Sequence, residues 1–144
     1  MDYTVIGDAV NLASRMEGLT KTYQAPILIS QSLYDELQKN PNAAPELFFR
    51  LLDAVTVKGK TMGVKIYTVK RSLSNAESSA WPQHNLGMEL YYRRSFRQAA
   101  DKFKEVLNLL PKDFNAESLY RRCLEYHANP PPENWDGVEV MKTK

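Results

Sequence analysis

The sequence is poor in three features that would define common classes of protein. It has a single cysteine, Cys123, so no disulfide can form within the chain, and a reducing compartment fits. No apolar run approaches the ~18–20 residues of a membrane-spanning helix, and the first residues lack the basic and apolar regions of a signal peptide. We therefore expect a cytoplasmic location, on the cytosolic side of any membrane that anchors a longer parent protein.

Charge of one sign is also scarce. The formal net charge is +2 and is spread evenly along the chain, which argues against a nucleic-acid-binding surface. The basic pairs Arg93-Arg94 and Arg121-Arg122 are typical of solvated helix faces. His84 and His127 are too isolated to indicate a metal site, and Cys123 fits a small core residue.

What the chain does have is alternating local patterns in its first half. DYTVI and APILIS are typical of strands, and AVNLASRMEGL and SLYDELQKN have apolar residues at helical spacing. FFRLLDAVTV and VKIYTVKR, joined by a glycine-containing turn, predict a hairpin. This order predicts an α+β fold with helices on one face of the sheet.

The second half has a different pattern. RSLSNAESSAWPQHN is polar and has no period, which predicts a linker. Two amphipathic helices that divide near Arg94–Ser95 follow it, then a third helix over NAESLYRRCLEYHAN and an extended tail, PPPENWDGVEVMKTK. We expect Trp81 and Trp135 to pin the linker and the tail onto the body. The predicted units are 1–72, 73–84 (linker), 85–128 (helices) and 129–144 (tail).

The helical unit matches one tetratricopeptide repeat. Leu86-Gly87, Ala99, Phe103 and Pro111 stand at the expected offsets, with small residues where two helices approach and Phe103 filling the gap. One repeat cannot form a long peptide-binding groove. The preferred interpretation is a small all-α cap packed on a neighbour, and peptide binding is the alternative.

Candidate functional residues lie in the first half. Asn11 and Arg15 are four residues apart, so both project from one face of the predicted helix, which follows a glycine turn suited to an anion. Lys58 and Lys60 flank Gly59 at the predicted hairpin tip. Each feature alone is more typical of a solvated helix face or a surface turn than of a site.

The whole string is more specific than its parts. DYTVIGDAVNLASRMEGL, followed by VTVKGK and then GVKIYTV, resembles the C-terminal half of a class III nucleotidyl cyclase catalytic domain, over residues 2 to about 70. The order of cyclase-like segment, linker, one repeat and PPPENWDGV also looks like the C-terminal end of bacterial membrane-anchored adenylate cyclases. The resemblance implies part of a ferredoxin-like cyclase sheet.

The resemblance also implies roles for individual residues. Thr4 would read the adenine edge, and Asn11 would orient the ribose so that its 3′-oxygen faces the α-phosphate. Arg15 would meet the charge that develops on the phosphate in the transition state, and Lys58 would bind the terminal phosphates. Lys60 is a flanking charge.

The implied reaction converts ATP into cyclic AMP and pyrophosphate, with two Mg²⁺ or Mn²⁺ ions, at a site formed across a dimer interface. The metal-binding aspartates of the family belong to the first half of its domain, and Asp2 and Asp8 do not replace them. We therefore expect this chain to be a C-terminal fragment that lacks metal ligands and is inactive alone. Its partner would be a second copy or the missing N-terminal half.

A non-catalytic function is the alternative. The chain would then be a dimerising or nucleotide-binding regulatory module that uses its helices for protein contacts. An exposed sheet edge favours a dimer or larger assembly in either case.

Overall fold

The computed structural model describes residues 20–25, 27–39, 47–56 and 63–140. The predicted strand DYTVI and the predicted helix AVNLASRMEGL lie outside these residues, and the described part of the chain begins with the helical residues 20–22. The described elements in chain order are β1 (Leu28–Ser30), α1 (Gln31–Lys39), β2 (Phe48–Thr56), β3 (Val64–Lys70), α2 (Asn75–Tyr92), α3 (Phe96–Leu109), α4 (Phe114–Ala128) and β4 (Val138–Val140).

Within the described residues the strands form one sheet in the order β1-β3-β2-β4. The hairpin is confirmed, because β2 pairs with β3 in antiparallel register from Phe48 opposite Lys70 to Val55 opposite Val64. β1 pairs with the other edge of β3, also antiparallel. The mixed helix and sheet content confirms the α+β class.

A β-bulge interrupts β2. The register shifts between Leu51 and Asp53, so Leu52 is an extra residue on that strand. Leu51 packs against the core of the helical segment, whereas Leu52 and Val55 pack with Ile66 and with residues 23–25. Both faces of β2 are therefore covered, which explains why its apolar residues are nearly continuous instead of alternating with polar ones.

Helices contact the sheet on both faces. Tyr34 of α1 stacks on Tyr67, with ring centroids 4.0 Å apart, and meets Phe49 edge-on. Arg50, the neighbour of Phe49 in β2, instead contacts Trp81 of α2 and Asp113 at the start of α4. Since neighbouring side chains on a strand point to opposite faces, α1 covers the face that carries Phe49, and Arg50 joins the later helices to the other face.

The predicted linker at 73–84 is wrong in its conformation, because α2 begins at Asn75. Ser74 accepts a hydrogen bond from the Glu77 amide while the Glu77 side chain accepts one from the Ser74 amide, a capping box that starts the helix. Ala80 and Trp81 of the same stretch are buried with Val106 and Ala116 of the following helices. Packing of this face compensates for the polar sequence and for Pro82 inside the helix. The division of the chain into units stays a prediction.

Helices α2, α3 and α4 confirm the three predicted helices. Gly87 of α2 lies against α3, where an added Cβ would stand 3.0 Å from ring atoms of Phe103 and 3.2 Å from Cβ of Lys102. The two helices therefore approach closely at the position where the sequence places a glycine. Ala99 and Phe103 are fully buried in the same core.

The tail after α4 joins the sheet. Trp135 packs among Tyr91, Phe96 and Tyr126, and the Arg94 side chain donates to the carbonyls of two prolines of the tail. Beyond it, β4 pairs in parallel with β2, Ala54 standing opposite Val138. The predicted extended tail is thus an edge strand at its described end.

Candidate functional site

The candidate residues named by the sequence lie outside the described residues. Thr4, Asn11 and Arg15 fall within 1–19, and Lys58 falls within 57–62. The paired strands β2 and β3 do stand on either side of the segment that carries Lys58. The predicted roles of these four residues stay predictions, and the contacts given below are those of the described residues.

A buried carboxylate on β2 forms the centre of one polar cluster. Asp53 has no exposed surface, and its two oxygens accept hydrogen bonds from Arg122 of α4 at 3.1–3.2 Å. The Tyr23 hydroxyl donates to the same carboxylate at 2.8 Å, and the Ala54 amide donates to it at 3.0 Å. Arg122 also lies over the ring of Tyr91, 5.9 Å from its centroid. Such a charge is tolerated inside a core because its charge and its lone pairs are both satisfied.

A second charged pair joins the start of β2 to the start of α4. Both terminal nitrogens of Arg50 donate to Asp113, one at 2.8 Å, and the Arg50 side chain is only 5% exposed. Asp113 also caps α4 by accepting from the Ala116 amide at 2.8 Å. The forked guanidinium therefore fixes the start of α4 onto β2 through directed hydrogen bonds as well as through its charge. Within the described part of the chain, Nε of Arg50 has no hydrogen-bond partner.

Two side chains of α2 form hydrogen bonds with the backbone of β2, as a neighbouring strand would. Asn85 accepts from the Leu51 amide at 3.0 Å and donates to the Phe49 carbonyl at 3.2 Å. Nε2 of His84 donates to the Leu51 carbonyl at 2.8 Å, which leaves Nδ1 to accept from Arg50 at 3.0 Å. Burial lowers the pKa of His84 well below its ordinary value, and the Arg50 guanidinium lowers it further. His84 is therefore a neutral structural side chain.

A polar cleft of about 210 Å³ lies between the sheet and the beginnings of α2 and α4. Arg50, Lys70, Trp81 and Lys112 are among its lining residues. Lys70 is paired with Glu77, as Arg50 is with Asp113, so most of the charge that lines the cleft is compensated internally.

The remaining isolated candidates of the sequence are structural. Cys123 is fully buried, and burial raises the pKa of its thiol to about 12, so it is unreactive near neutral pH. Trp81 is 3% exposed and Trp135 packs in the main helical core, which confirms that they pin their segments to the body. His127 lies exposed in the last turn of α4.

Sequence reasoning missed the charged residues that join the two halves of the chain. The interpretation of Arg121-Arg122 as a solvated face is correct for Arg121, whose side chain is 76% exposed, but wrong for Arg122, at 19%. The sequence of β2 did contain a signal, because Arg50 and Asp53 interrupt an otherwise apolar strand. Charged side chains need partners when the strand that carries them is buried. The sequence does not say where those partners lie.

In the described part of the chain, no three His, Cys, Asp or Glu side chains are grouped so that they could hold a metal ion. Among the described helices, none combines the length and apolar character needed to cross a membrane.

Comparison with known proteins relates the chain to adenylate cyclases. It is 37% identical over 132 residues to the terminal-differentiation-specific adenylate cyclase of Dictyostelium discoideum, which covers 87% of this chain and 6% of that protein. It is 53% identical over 72 residues to an adenylate cyclase of Anabaena cylindrica, covering 49% of this chain and 13% of the relative. Adenylate cyclase 1 of Rhizobium meliloti is 33% identical over 69 residues, covering 48% of this chain and 10% of the relative.

The chain thus spans only a small part of the length of these relatives. The alignment with the Dictyostelium protein is too long to be confined to residues 1–72, so it necessarily includes helices of the second half. No family model matches the chain, and no solved structure matches it significantly.

Proposed function

We propose that this chain contributes base, ribose and phosphate contacts to the active site of a class III adenylate cyclase. The observation that carries the proposal is the 53% identity over 72 residues to an adenylate cyclase, about half of the chain. The motif string resembling the cyclase domain occupies a stretch of the same length, and the α+β fold with its β2–β3 hairpin is compatible with it.

In this proposal four side chains handle the nucleotide. Thr4 reads the adenine edge, and Asn11 holds the ribose so that the 3′-oxygen points at the α-phosphorus. Arg15 stabilises the charge on the α-phosphate as the bond from the 3′-oxygen forms and the bond to pyrophosphate breaks. Lys58 binds the terminal phosphates that leave.

The described residues do not fit a two-metal site. Asp53 is the carboxylate of β2, but its oxygens are occupied by Arg122, Tyr23 and a backbone amide. No other described group of acidic side chains is placed for a metal ion. The Mg²⁺ or Mn²⁺ ligands of the proposed site are therefore supplied from outside the described residues, by another segment or a second subunit.

The test is a hybrid enzyme. This chain replaces the stretch of the Anabaena cylindrica adenylate cyclase that aligns with it, and cyclic AMP formation from ATP is followed. Arg15→Ala should lower kcat by about 10²–10³, because a group that acts on transition-state charge contributes on this scale. Lys58→Ala removes the proposed ligand of the terminal phosphates. Lys60→Ala, two residues further along the chain, is its matched control and should leave the rate of cyclic AMP formation near that of the parent hybrid.

Two outcomes would count against the proposal. A folded parent hybrid that forms no cyclic AMP would remove the catalytic role. An Arg15→Ala hybrid as active as its parent would remove the assignment of that residue.

The second candidate function is a non-catalytic module that binds adenine nucleotide and uses its tetratricopeptide-like helices for protein contacts. The exposed apolar side chains Leu86, Leu109 and Leu124, one on each of these helices, favour it. Such a module would bind ATP weakly and without dependence on Mg²⁺, which calorimetry on the 144-residue chain distinguishes from the metal-dependent binding expected of a cyclase site.

A further inference from the structure

The polar cleft between the sheet and the beginnings of α2 and α4 is lined by residues from both halves of the chain. Gln24 and Arg50 line it from the first half, and Lys112 and Asn115, at the start of α4, line it from the second. Its volume is about 210 Å³, whereas one water molecule needs only about 10–15 Å³. The cleft is therefore large enough for more than a single ordered water.

The charges around this cleft do not cancel. Its basic lining residues are Arg50, Lys70 and Lys112, and its acidic ones are Glu77 and Asp113. Arg50 pairs with Asp113, and Lys70 pairs with Glu77. Lys112 is exposed, and its ammonium group has no ion pair or hydrogen bond to any described residue. One positive charge is therefore left over, and the complementary ligand has one negative charge.

Arg50 adds a cation that is largely shielded from water. It is 4% exposed, and its Nε has no hydrogen-bond partner among the described residues. A shielded charge attracts an anion more strongly than an exposed charge does, because less water and salt screen it. The carboxylates of Asp113 and Glu77 offset part of this attraction, which again favours a ligand with a single negative charge.

A strained glutamine also lines the cleft. Gln24 has φ = +50°, in the left-handed region that glycine adopts at far lower cost. Strained residues of this kind cluster at ligand-binding sites. The Gln24 side chain has no partner in the described part of the chain that would explain why glutamine stands there. An amide that donates to a bound carboxylate would explain it.

We propose that the cleft is a binding site for a small organic acid with one carboxylate. The carboxylate lies between Arg50 and Lys112 and accepts a hydrogen bond from the Gln24 amide. The rest of the ligand contacts Trp81 and Phe114, the aromatic residues of the lining. The bound acid bridges β2 and the start of α4, and its site shares no residue with the four side chains proposed to handle the nucleotide.

The two tryptophans of the chain provide a reporter and a control. Trp81 lines the cleft, and the guanidinium carbon of Arg50 and Nζ of Lys70 lie 5.9 Å and 5.8 Å from its ring centroid. Trp135 packs in the helical core and does not line the cleft. A ligand in the cleft should therefore shift the indole resonance of Trp81 and leave that of Trp135 in place.

The experiment is a titration of the ¹⁵N-labelled 144-residue chain with sodium benzoate, a carboxylate whose ring can contact Phe114. Sodium chloride keeps the ionic strength constant, and Trp135→Phe assigns the two indole signals. We expect a saturable shift of the Trp81 signal. The absence of a saturable shift would overturn the proposal, as would an equal shift with sodium chloride alone.

A matched pair of lysine variants tests the excess charge. Lys112→Gln changes an exposed side chain, so the fold should be kept, and it should raise Kd for benzoate by about 10-fold, the scale of one hydrogen bond to a charged group. Lys104→Gln removes an exposed cation of α3 that does not line the cleft, and it should keep the Kd of the parent. An unchanged Kd in Lys112→Gln would overturn the proposal.

Gln24→Gly separates binding from folding. Glycine relieves the strained backbone but removes the side-chain amide, so Kd should rise while the thermal midpoint of unfolding stays the same or increases. A Kd equal to that of the parent would overturn the assignment of Gln24 to the site.

Two further results separate this site from the proposed nucleotide site. Lys58→Ala should leave the Kd for benzoate unchanged, and loss of the Trp81 shift in that variant would overturn the proposal. Inorganic phosphate that binds where benzoate does not would overturn the choice of a carboxylate. If the hybrid enzyme forms no cyclic AMP, the proposed function fails, but the benzoate titration still decides the site in the cleft.

Discussion

At the residue scale, the buried His84 gives the fold a dependence on pH. The imidazole of His84 contacts the Leu51 carbonyl and Arg50, which is itself paired with Asp113. Burial lowers the pKa of His84 well below the ordinary value near 6.5. As pH falls below about 6.5, the unfolded chain takes up a proton that the folded chain does not. Acid therefore favours unfolding through this residue.

We expect the free energy of unfolding to fall by about 1 kcal/mol per pH unit between about pH 6.5 and pH 5. Urea denaturation at several pH values measures it. His84→Gln should flatten this dependence even if it lowers stability overall, whereas His127→Gln, on the exposed side of α4, should retain it. An unchanged slope in His84→Gln would contradict the assignment.

Two neighbouring tyrosines differ in one respect that can be measured. The Tyr91 hydroxyl accepts a hydrogen bond from Arg122 at 3.3 Å. The Tyr92 hydroxyl is buried and has no hydrogen-bond partner among the described residues, and burial raises its pKa. Removing a buried polar group that has no partner relieves a desolvation cost.

Tyr92→Phe should therefore leave stability unchanged or raise it by up to about 1 kcal/mol, whereas Tyr91→Phe should lower it by about 1 kcal/mol. Denaturant unfolding of both variants under one condition gives the comparison. Equal losses in the two variants would show that both hydroxyls are satisfied.

At the element scale, the predictable parts are those with a local pattern. The hairpin and helices α3 and α4 follow from alternation and helical spacing within each segment. The start of α2 cannot be predicted in this way, because its residues are polar and lack helical spacing. Ser74 and Glu77 nevertheless have the residue types of a capping box. β4 has only three described residues and pairs in parallel with a strand far away in the sequence, so no local signal reveals it.

The residues of the candidate site also differ in how far the sequence predicts them. Asn11, Arg15 and Lys58 give only weak signals by spacing, and their roles and the choice of Thr4 come from the resemblance alone. All four lie outside the described residues. The charged partners of Arg50 and Asp53 are Asp113, which caps α4, and Arg122 within it. Sequence alone cannot choose them among the basic and acidic residues of that segment.

The attachment of β4 depends on a glycine. Gly137 has φ = +84°, and an added Cβ would lie 2.5 Å from Cδ1 of Tyr92. Both the backbone conformation and the contact exclude a larger residue without movement.

Gly137→Ala should lower the free energy of unfolding by about 2 kcal/mol or more and release β4 from β2. Hydrogen exchange at the amides of β2 near Thr56 reports the release, and urea denaturation reports the loss. Glu133→Ala, at an exposed position of the same tail, should change neither. Retained protection of β2 in Gly137→Ala would contradict this account of the tail.

At the scale of the whole molecule, buried charges and a shared strand unite the two halves of the chain. Arg50 with Asp113, Asp53 with Arg122, and β2 with β4 all cross from the first half to the second. The helices are therefore part of the structural support of the sheet.

Association of chains is the prediction that belongs to this scale. Among the described strands β1 is an edge of the sheet, and Ile27 beside it is 53% exposed. Sedimentation velocity of the chain at micromolar concentration should show a dimer or a larger assembly. Ile27→Lys should weaken it, and Leu124→Lys, an exposed apolar position on α4, should not. A monomer at that concentration would contradict the prediction.

The central claim is that these residues serve an adenylate cyclase site, and the most direct test is the product formed by the unmutated hybrid with the Anabaena cylindrica enzyme. The account predicts cyclic AMP and pyrophosphate in equal amounts from ATP, with GTP a poorer substrate as long as Thr4 is present. A folded, assembled hybrid that binds ATP but releases no cyclic AMP would contradict it.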